Sequence, residues 1–179
     1  LWMQHFYSLL LSFTSLIPAA RAGTVVPDVS LYDHARTTGA LAAALYLYHR
    51  DSGSLSEGAI KDDRLEKFLL VSGDFYGIQD FIFSAGGDSA AYRSKLLRGR
   101  SFSVSMFSEM AADMLCRAVG LPHVAVVLNA AGKFTIVAPN TEDARDKISD
   151  VEKRINGWLH SVSYGQSSMG ITTTIASPA

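Results

Sequence analysis

Asp74 is the residue of this chain best placed to do chemistry. It follows the apolar run Phe68-Leu69-Leu70-Val71-Ser72 and Gly73, and it precedes Tyr76-Gly77, where backbone amides at a helix start can approach a phosphate. A carboxylate closing a strand is what two-metal nucleotidyl transfer uses to hold divalent cations between the triphosphate and the attacking oxygen. That chemistry also needs acids on a neighbouring hairpin. The turn that would supply them reads Ala131-Gly132-Lys133-Phe134, and Lys133 is a cation, unable to ligate Mg²⁺ but able to meet a phosphate. The pattern predicts a surface that handles a nucleotide without turning it over. The nucleotide-binding candidates are Asp74, Tyr76, Gly77, Gly132 and Lys133, and Asp74 is also the metal-ligand candidate. Helix capping by Asp74 is the competing reading.

A second candidate is the basic cluster Arg93, Lys95, Arg98 and Arg100 beside Tyr92 and Phe102, with Arg98 and Arg100 as phosphate or RNA contacts. The alternative is a solvated helix face paired with Asp88 and Glu109. Binding of nucleic acid must be local, because 16 Lys and Arg stand against 17 Asp and Glu for a net charge of -1. His5, His49, His123 and His160 lack ligand spacing, and Asp33-His34 reverses the His-Asp order that a two-metal HD nuclease needs, so His34 reads as a packed or capping histidine, with a place in the floor of a missing domain as the alternative. The lone Cys116, in Met114-Leu115-Cys116, reads as a packed thiol in a reducing compartment.

These residues must be positioned by elements of alternating type. Residues 68–72 read as a buried central strand ending at Gly73-Asp74, and residues 77–83 as a helix. After Gly86-Gly87 a long helix carries Phe102, Met106, Met110, Leu115 and Ala118 to Gly120. Residues 124–128 and 134–137 form a hairpin around 129–133. Asn140 then caps a helix whose apolar face is Ala144, Ile148, Val151, Ile155 and Trp158, with Asp143, Asp146, Asp150 and Glu152 on a mixed-charge solvent face. Residues 169–175 alternate as a half-exposed strand. The order βαββαβ predicts an α+β, ferredoxin-like palm with both helices on one face of an antiparallel sheet.

Upstream, Ser30 and Asp33 form a capping box that starts a helix through Ala40, Leu41, Ala44, Leu45 and Tyr48, and residues 51–61 read as a Ser- and Gly-rich linker. The first stretch imitates a secretory core, but it has no initiating Met and no basic flank, and Phe6, Leu9, Leu10, Phe13 and Leu16 fit one face of a buried helix. The expected division is a helical segment at 1–60 and a palm at 61–179, with the chain a piece of something longer. Apolar surface is expected around Phe6, Leu10, Phe13 and the face of the second helix from Leu41 to Tyr48, where missing parts attach.

Four motifs carry a family resemblance: Gly73-Asp74-Phe75-Tyr76-Gly77-Ile78-Gln79-Asp80-Phe81-Ile82, Leu97-Arg98-Gly99-Arg100-Ser101-Phe102, Gly132-Lys133-Phe134 and Pro139-Asn140-Thr141. Together they resemble the large subunit of type III CRISPR effector complexes, Cas ten, most closely its type III-A (Csm) form. The stretch Pro27-Asp28-Val29-Ser30-Leu31-Tyr32-Asp33-His34 resembles that family's helix between its HD nuclease domain and its first palm. The resemblance covers residues 27–175. It implies a cytoplasmic antiviral role in which a first palm without the acidic pair faces a second palm carrying Gly-Gly-Asp-Asp. ATP, with Mg²⁺ in the complete protein, would be joined into cyclic oligoadenylate between them when target RNA binds. Other effector subunits, guide RNA and target RNA are the implied partners, with no membrane, and this chain alone would be inactive. The other implied reading is an interaction module that docks subunits and guide RNA without nucleotide. Two departures concern the site: Tyr76 stands where Ser is commoner, and Asn129-Ala130-Ala131 replaces a turn richer in Ser and Gly.

Overall fold

The structure, a computed structural model, describes residues 2–20, 26, 28–83 and 90–178. Among the described residues six α-helices and four strands run in the order α1 (Trp2–Thr14), α2 (Leu31–Asp51), α3 (Glu57–Lys61), β1 (Phe68–Tyr76), α4 (Ile78–Phe83), α5 (Ala90–Val119), β2 (Val126–Ala130), β3 (Lys133–Pro139), α6 (Glu142–Ser163) and β4 (Ser168–Ala176). The strands form one antiparallel sheet in the order β2-β3-β1-β4, the ferredoxin-like arrangement expected from the element order.

Alternation along the strands creates two faces. Leu69, Val71 and Phe75 on β1, Phe134 and Ile136 on β3 and Met169 on β4 are buried under α5 and α6. From α5 this core receives Val104, Ala111, Ala112, Leu115, Cys116 and Val119, and from α6 Ala144, Ile148, Val151, Ile155 and Leu159, each set at helical spacing. Phe75, Phe81, Phe107 and Trp158 continue it as an aromatic chain with centroids 5.3 to 6.0 Å apart. On the opposite face α2 covers one end, where Ala44 and Leu47 join the same core as Phe68 and Val137. Ser30 caps α2 as expected, its Oγ accepting from the Asp33 amide at 3.0 Å.

Several expectations are corrected. β1 does not stop at Gly73-Asp74 but runs to Tyr76, because its pairing with β4 continues through Phe75↔Met169 and Tyr76↔Ser168. Residues 123–125 form a 3₁₀ turn and β2 starts only at Val126. The stretch 51–61 is no plain linker: Ser56 caps the five-residue α3, and the fully buried Lys67 donates to the Ala59 and Ile60 carbonyls at 2.8 and 2.9 Å. A buried ammonium thus satisfies the open end of α3. Thr141 rather than Asn140 caps α6, since the Asn140 side chain is engaged by the Glu66 carbonyl and Arg145. Phe102, Met106 and Met110 lie on the exposed side of α5, whose buried line is offset from them. Helix α1 has no buried residue, because α2 is the element against it; Phe6 and Phe13 are exposed as expected of attachment surface, while Leu10 is half-buried. On α2, Leu41 and Tyr46 are exposed whereas Ala44 and Leu47 are buried. The interruption at Gly86-Gly87 lies outside the described residues.

Lys147 pairs with Asp143 and Lys153 with Asp150 on the outer face of α6. Glu152 is not part of that solvent face: it accepts from the Ile171 amide at 3.1 Å, and Asn156 exchanges two hydrogen bonds with the Met169 backbone. Both side chains occupy backbone groups on the edge strand β4, which would otherwise template another chain.

The β2–β3 turn has two residues, Ala131 and Gly132, both at positive φ (53° and 89°), in place of the longer loop expected. That is the primed geometry whose twist matches a hairpin, and it favours Asn-Gly. Ala131 holds a left-handed conformation against its Cβ. Ala131→Asn is therefore expected to stabilise the chain by about 0.5–1 kcal/mol, seen as a rise of roughly 2 °C in the thermal midpoint. A fall in the midpoint would contradict the turn geometry.

Candidate functional site

The part of the sheet that α2 leaves uncovered carries the candidate residues in rows across the strands. One row is Ala130, Lys133, Asp74 and Gly170, each paired in register with the next. Lys133 Nζ donates to Asp74 Oδ2 at 2.6 Å, with the two side chains 63% and 33% exposed. The hydrogen bond to Asp74, then the carboxylate's charge, raise the Lys133 ammonium above the ordinary lysine range. The neighbouring row is Leu128, Thr135, Ser72 and Thr172. Its hydroxyls are only loosely engaged, Ser72 to Thr135 at 3.4 Å and Thr172 to the Ser72 carbonyl at 3.5 Å.

Tyr76 closes this face at the end of β1. Its ring lies over Gly170, where a Cβ would sit 2.3 Å from Tyr76 Cε2, and the residue remains 55% exposed. The ring thus has one side on the backbone of β4. An isolated glycine inside the strand pattern Met169-Gly170-Ile171 is the sequence signal for such a close approach, and sequence reading passed over it.

The two glycines among the candidates shape the site from behind. Gly77 has φ +82° and backs onto the Gln166 carbonyl, 2.3 Å from where a Cβ would stand, so the chain can turn there from β1 into the short α4. Gly132 is buried. Its carbonyl accepts from the Phe75 amide at 2.9 Å, and its Cα side is closed by Ile78 and Val104, so it holds Lys133 in place through the turn.

Asp74 caps no helix; it sits inside β1 with its carboxylate on Lys133. Arg98 and Arg100 belong to α5, on the opposite face of the sheet from that pair. Arg98 Nε donates to the Ser94 carbonyl at 3.3 Å, and Arg100 Nη1 to the Ile82 carbonyl at 3.2 Å, tying α5 to α4. Glu109 accepts from His123 and Asn129 rather than from the basic cluster, and Asp88 lies outside the described residues. Among the described residues no group of three His, Cys, Asp or Glu side chains is placed to hold a metal. None of the described helices is long and apolar enough to cross a membrane.

The family model described as "Csm1 subunit domain B" matches residues 67–177. The chain is 33% identical over 164 residues to the CRISPR system single-strand-specific deoxyribonuclease Cas10/Csm1 (subtype III-A) of Mycobacterium tuberculosis, covering 88% of this chain and 20% of that protein. The protein of the same description from Methanocaldococcus jannaschii is 32% identical, with 87% and 22% covered. Among solved structures, a Csm1-Csm4 cassette in complex with cA4 superposes with a TM-score of 0.80 at 28% identity over 96% of this chain and 22% of that one. A Csm1-Csm4 cassette in complex with one ATP gives 0.73 at 31% identity over 87% and 20%. The chain spans about a fifth of the length of the curated relatives it matches. It belongs to the family of the Csm1 subunit's domain B, carried by the Cas10/Csm1 proteins of subtype III-A CRISPR systems.

Proposed function

We propose that this chain is the non-catalytic palm of a type III-A effector large subunit and forms one wall of an ATP site used for cyclic oligoadenylate synthesis in antiviral defence. The observation that carries the reading is the Asp74–Lys133 pair on an uncovered sheet face, a cation standing where a catalytic palm needs an acid. Solved relatives were obtained with one ATP and with cA4, so nucleotide ligands belong to the chemistry of such proteins. On this wall Lys133 meets phosphate and Tyr76 offers its outward ring side to the adenine. Gly77 and Gly132 set the backbone that aims them.

The magnesium implied by such chemistry does not fit this chain's own donors. Asp74 is held by Lys133 and belongs to no group of three possible ligands among the described residues, and magnesium asks for near-octahedral oxygen coordination. Carboxylates of a second palm would have to hold it. Target RNA, guide RNA and the other effector subunits would act through the complete protein, with residues 1–60 as the helical segment leading to the palm at 61–179.

Calorimetric titration with ATP tests the reading. Weak binding and no turnover are expected of this chain, and cyclic product is expected from ATP only after fusion to the second palm. Synthesis by the chain alone would defeat the proposal.

A docking module is the second reading. It is favoured by an apolar groove of about 290 Å³ between α5 and α6, lined by Phe107, Met110, Met114 and Trp158. In that case Lys133→Ala in the full-length protein leaves synthesis intact. A large loss of product with normal assembly would rule it out.

A further inference from the structure

Any anion that approaches Lys133 finds one of the ammonium's three N–H donors already given to a carboxylate. Asp74 Oδ2 lies 2.6 Å from Nζ, the distance of a charge-assisted hydrogen bond, and so stands where a phosphate oxygen would stand. The two residues are direct register partners on β1 and β3, so the backbone holds them side by side. Both are reached by solvent, and an exposed pair of this kind grips each partner only weakly. The same contact keeps Asp74 from metal service, and Asp74 belongs to no group of three or more His, Cys, Asp or Glu side chains placed to hold a metal among the described residues.

We infer that Asp74 is a built-in competitor of phosphate for Lys133 rather than a magnesium ligand, so that this face takes the triphosphate chain of a nucleotide without a metal, exchanging one oxyanion for another on the same ammonium. The ligand class rests on the ATP site proposed above. Binding releases the carboxylate to water but leaves its charge beside the phosphates, so the competitor weakens the complex even after exchange. The sign of the mutational effect separates the two roles. Removing a metal ligand weakens nucleotide binding, whereas removing a competitor tightens it.

The experiment titrates the chain, in the presence of EDTA, with inorganic triphosphate and separately with ATP, using wild type, Asp74→Asn, Asp74→Ser and Lys133→Met. Both ligands are expected to bind wild type. Both Asp74 variants should bind them about fivefold more tightly, the upper end of what an exposed ion pair withholds, and Lys133→Met should lose binding. NMR titration of the Lys133 ε-methylene gives an independent readout. In Asp74→Asn its midpoint falls toward that of an ordinary lysine, and saturating triphosphate raises it again.

ATP binding that requires Mg²⁺, or that Asp74→Asn weakens or leaves unchanged, overturns the exchange and leaves the ATP site standing. Triphosphate binding tightened by Asp74→Asn, with no binding of ATP, refutes the nucleotide site and upholds the exchange. An absence of binding by either ligand to wild type and both Asp74 variants overturns both.

Discussion

Gly73→Ala is expected to destabilise the chain by about 3 kcal/mol, lowering the thermal midpoint by roughly 6–12 °C. A Cβ on Gly73 would lie 2.1 Å from Cζ, 2.2 Å from Cε1 and 2.8 Å from Cε2 of Phe134, its register partner on β3. The ring cannot step aside, because Phe134 is 1% exposed inside the core under α5 and α6. The methyl must therefore push the strands apart or drive the ring off its rotamer. Phe134→Leu should recover part of the loss in the double variant, since the two residues share one space and their effects are coupled. A Gly73→Ala midpoint within 2 °C of wild type would show that β1 and β3 are not paired in this register. The site depends on the same pairing, because the step after Gly73↔Phe134 is Asp74↔Lys133.

That dependence explains how much of the protein was legible in its sequence. The six elements of the βαββαβ order were readable because their periodicities, two along the strands and near 3.6 along α5 and α6, reflect which side each residue turns to the core. Ends were less readable. Gly73 and Asp74 look like a strand terminus by local preference, yet a central strand hydrogen-bonded on both sides overrides that preference, and the glycine is there to admit the Phe134 ring. Helix α3 was invisible because its C-terminal carbonyls are satisfied from outside by Lys67. The choice between Asn140 and Thr141 as cap was settled by Glu66 and Arg145, contacts no local window contains. In the candidate site, residue types announced a cation, Lys133, beside the hairpin turn. What they could not announce was the mutual engagement of Asp74 and Lys133, which follows from a two-residue turn setting the register, or the seat of Tyr76 on Gly170 across a strand pair nearly a hundred residues apart in sequence.

Alkaline pH should unfold the protein partly through Cys116. The thiol is 1% exposed on α5, and burial, followed by the nearby Asp113 charge, pushes its pKa from 9.0 up to about 12. Below pH 9 both folded and unfolded chains keep the proton, so the thiol's contribution to stability is constant and fully present. Between 9 and about 12 the unfolded chain gives up the proton while the folded chain retains it. Stability then falls by about 1.4 kcal/mol per pH unit, on the order of 4 kcal/mol across the window. The Tyr7 phenol is likewise raised, by burial first and then by Tyr32, and adds its own alkaline loss, so the slope of wild type alone does not isolate the thiol. Cys116→Ala does. It carries a small cavity penalty at every pH but lacks the titrating group. Denaturant unfolding at pH 8 and pH 10.5 should show wild type losing about 2 kcal/mol more than Cys116→Ala between the two conditions. Parallel losses in the two proteins would mean that the thiolate is tolerated in the fold, and that α5 opens at Cys116 without global unfolding. Rapid alkylation of the native protein by iodoacetamide would accompany that outcome, whereas a closed core makes alkylation wait on unfolding.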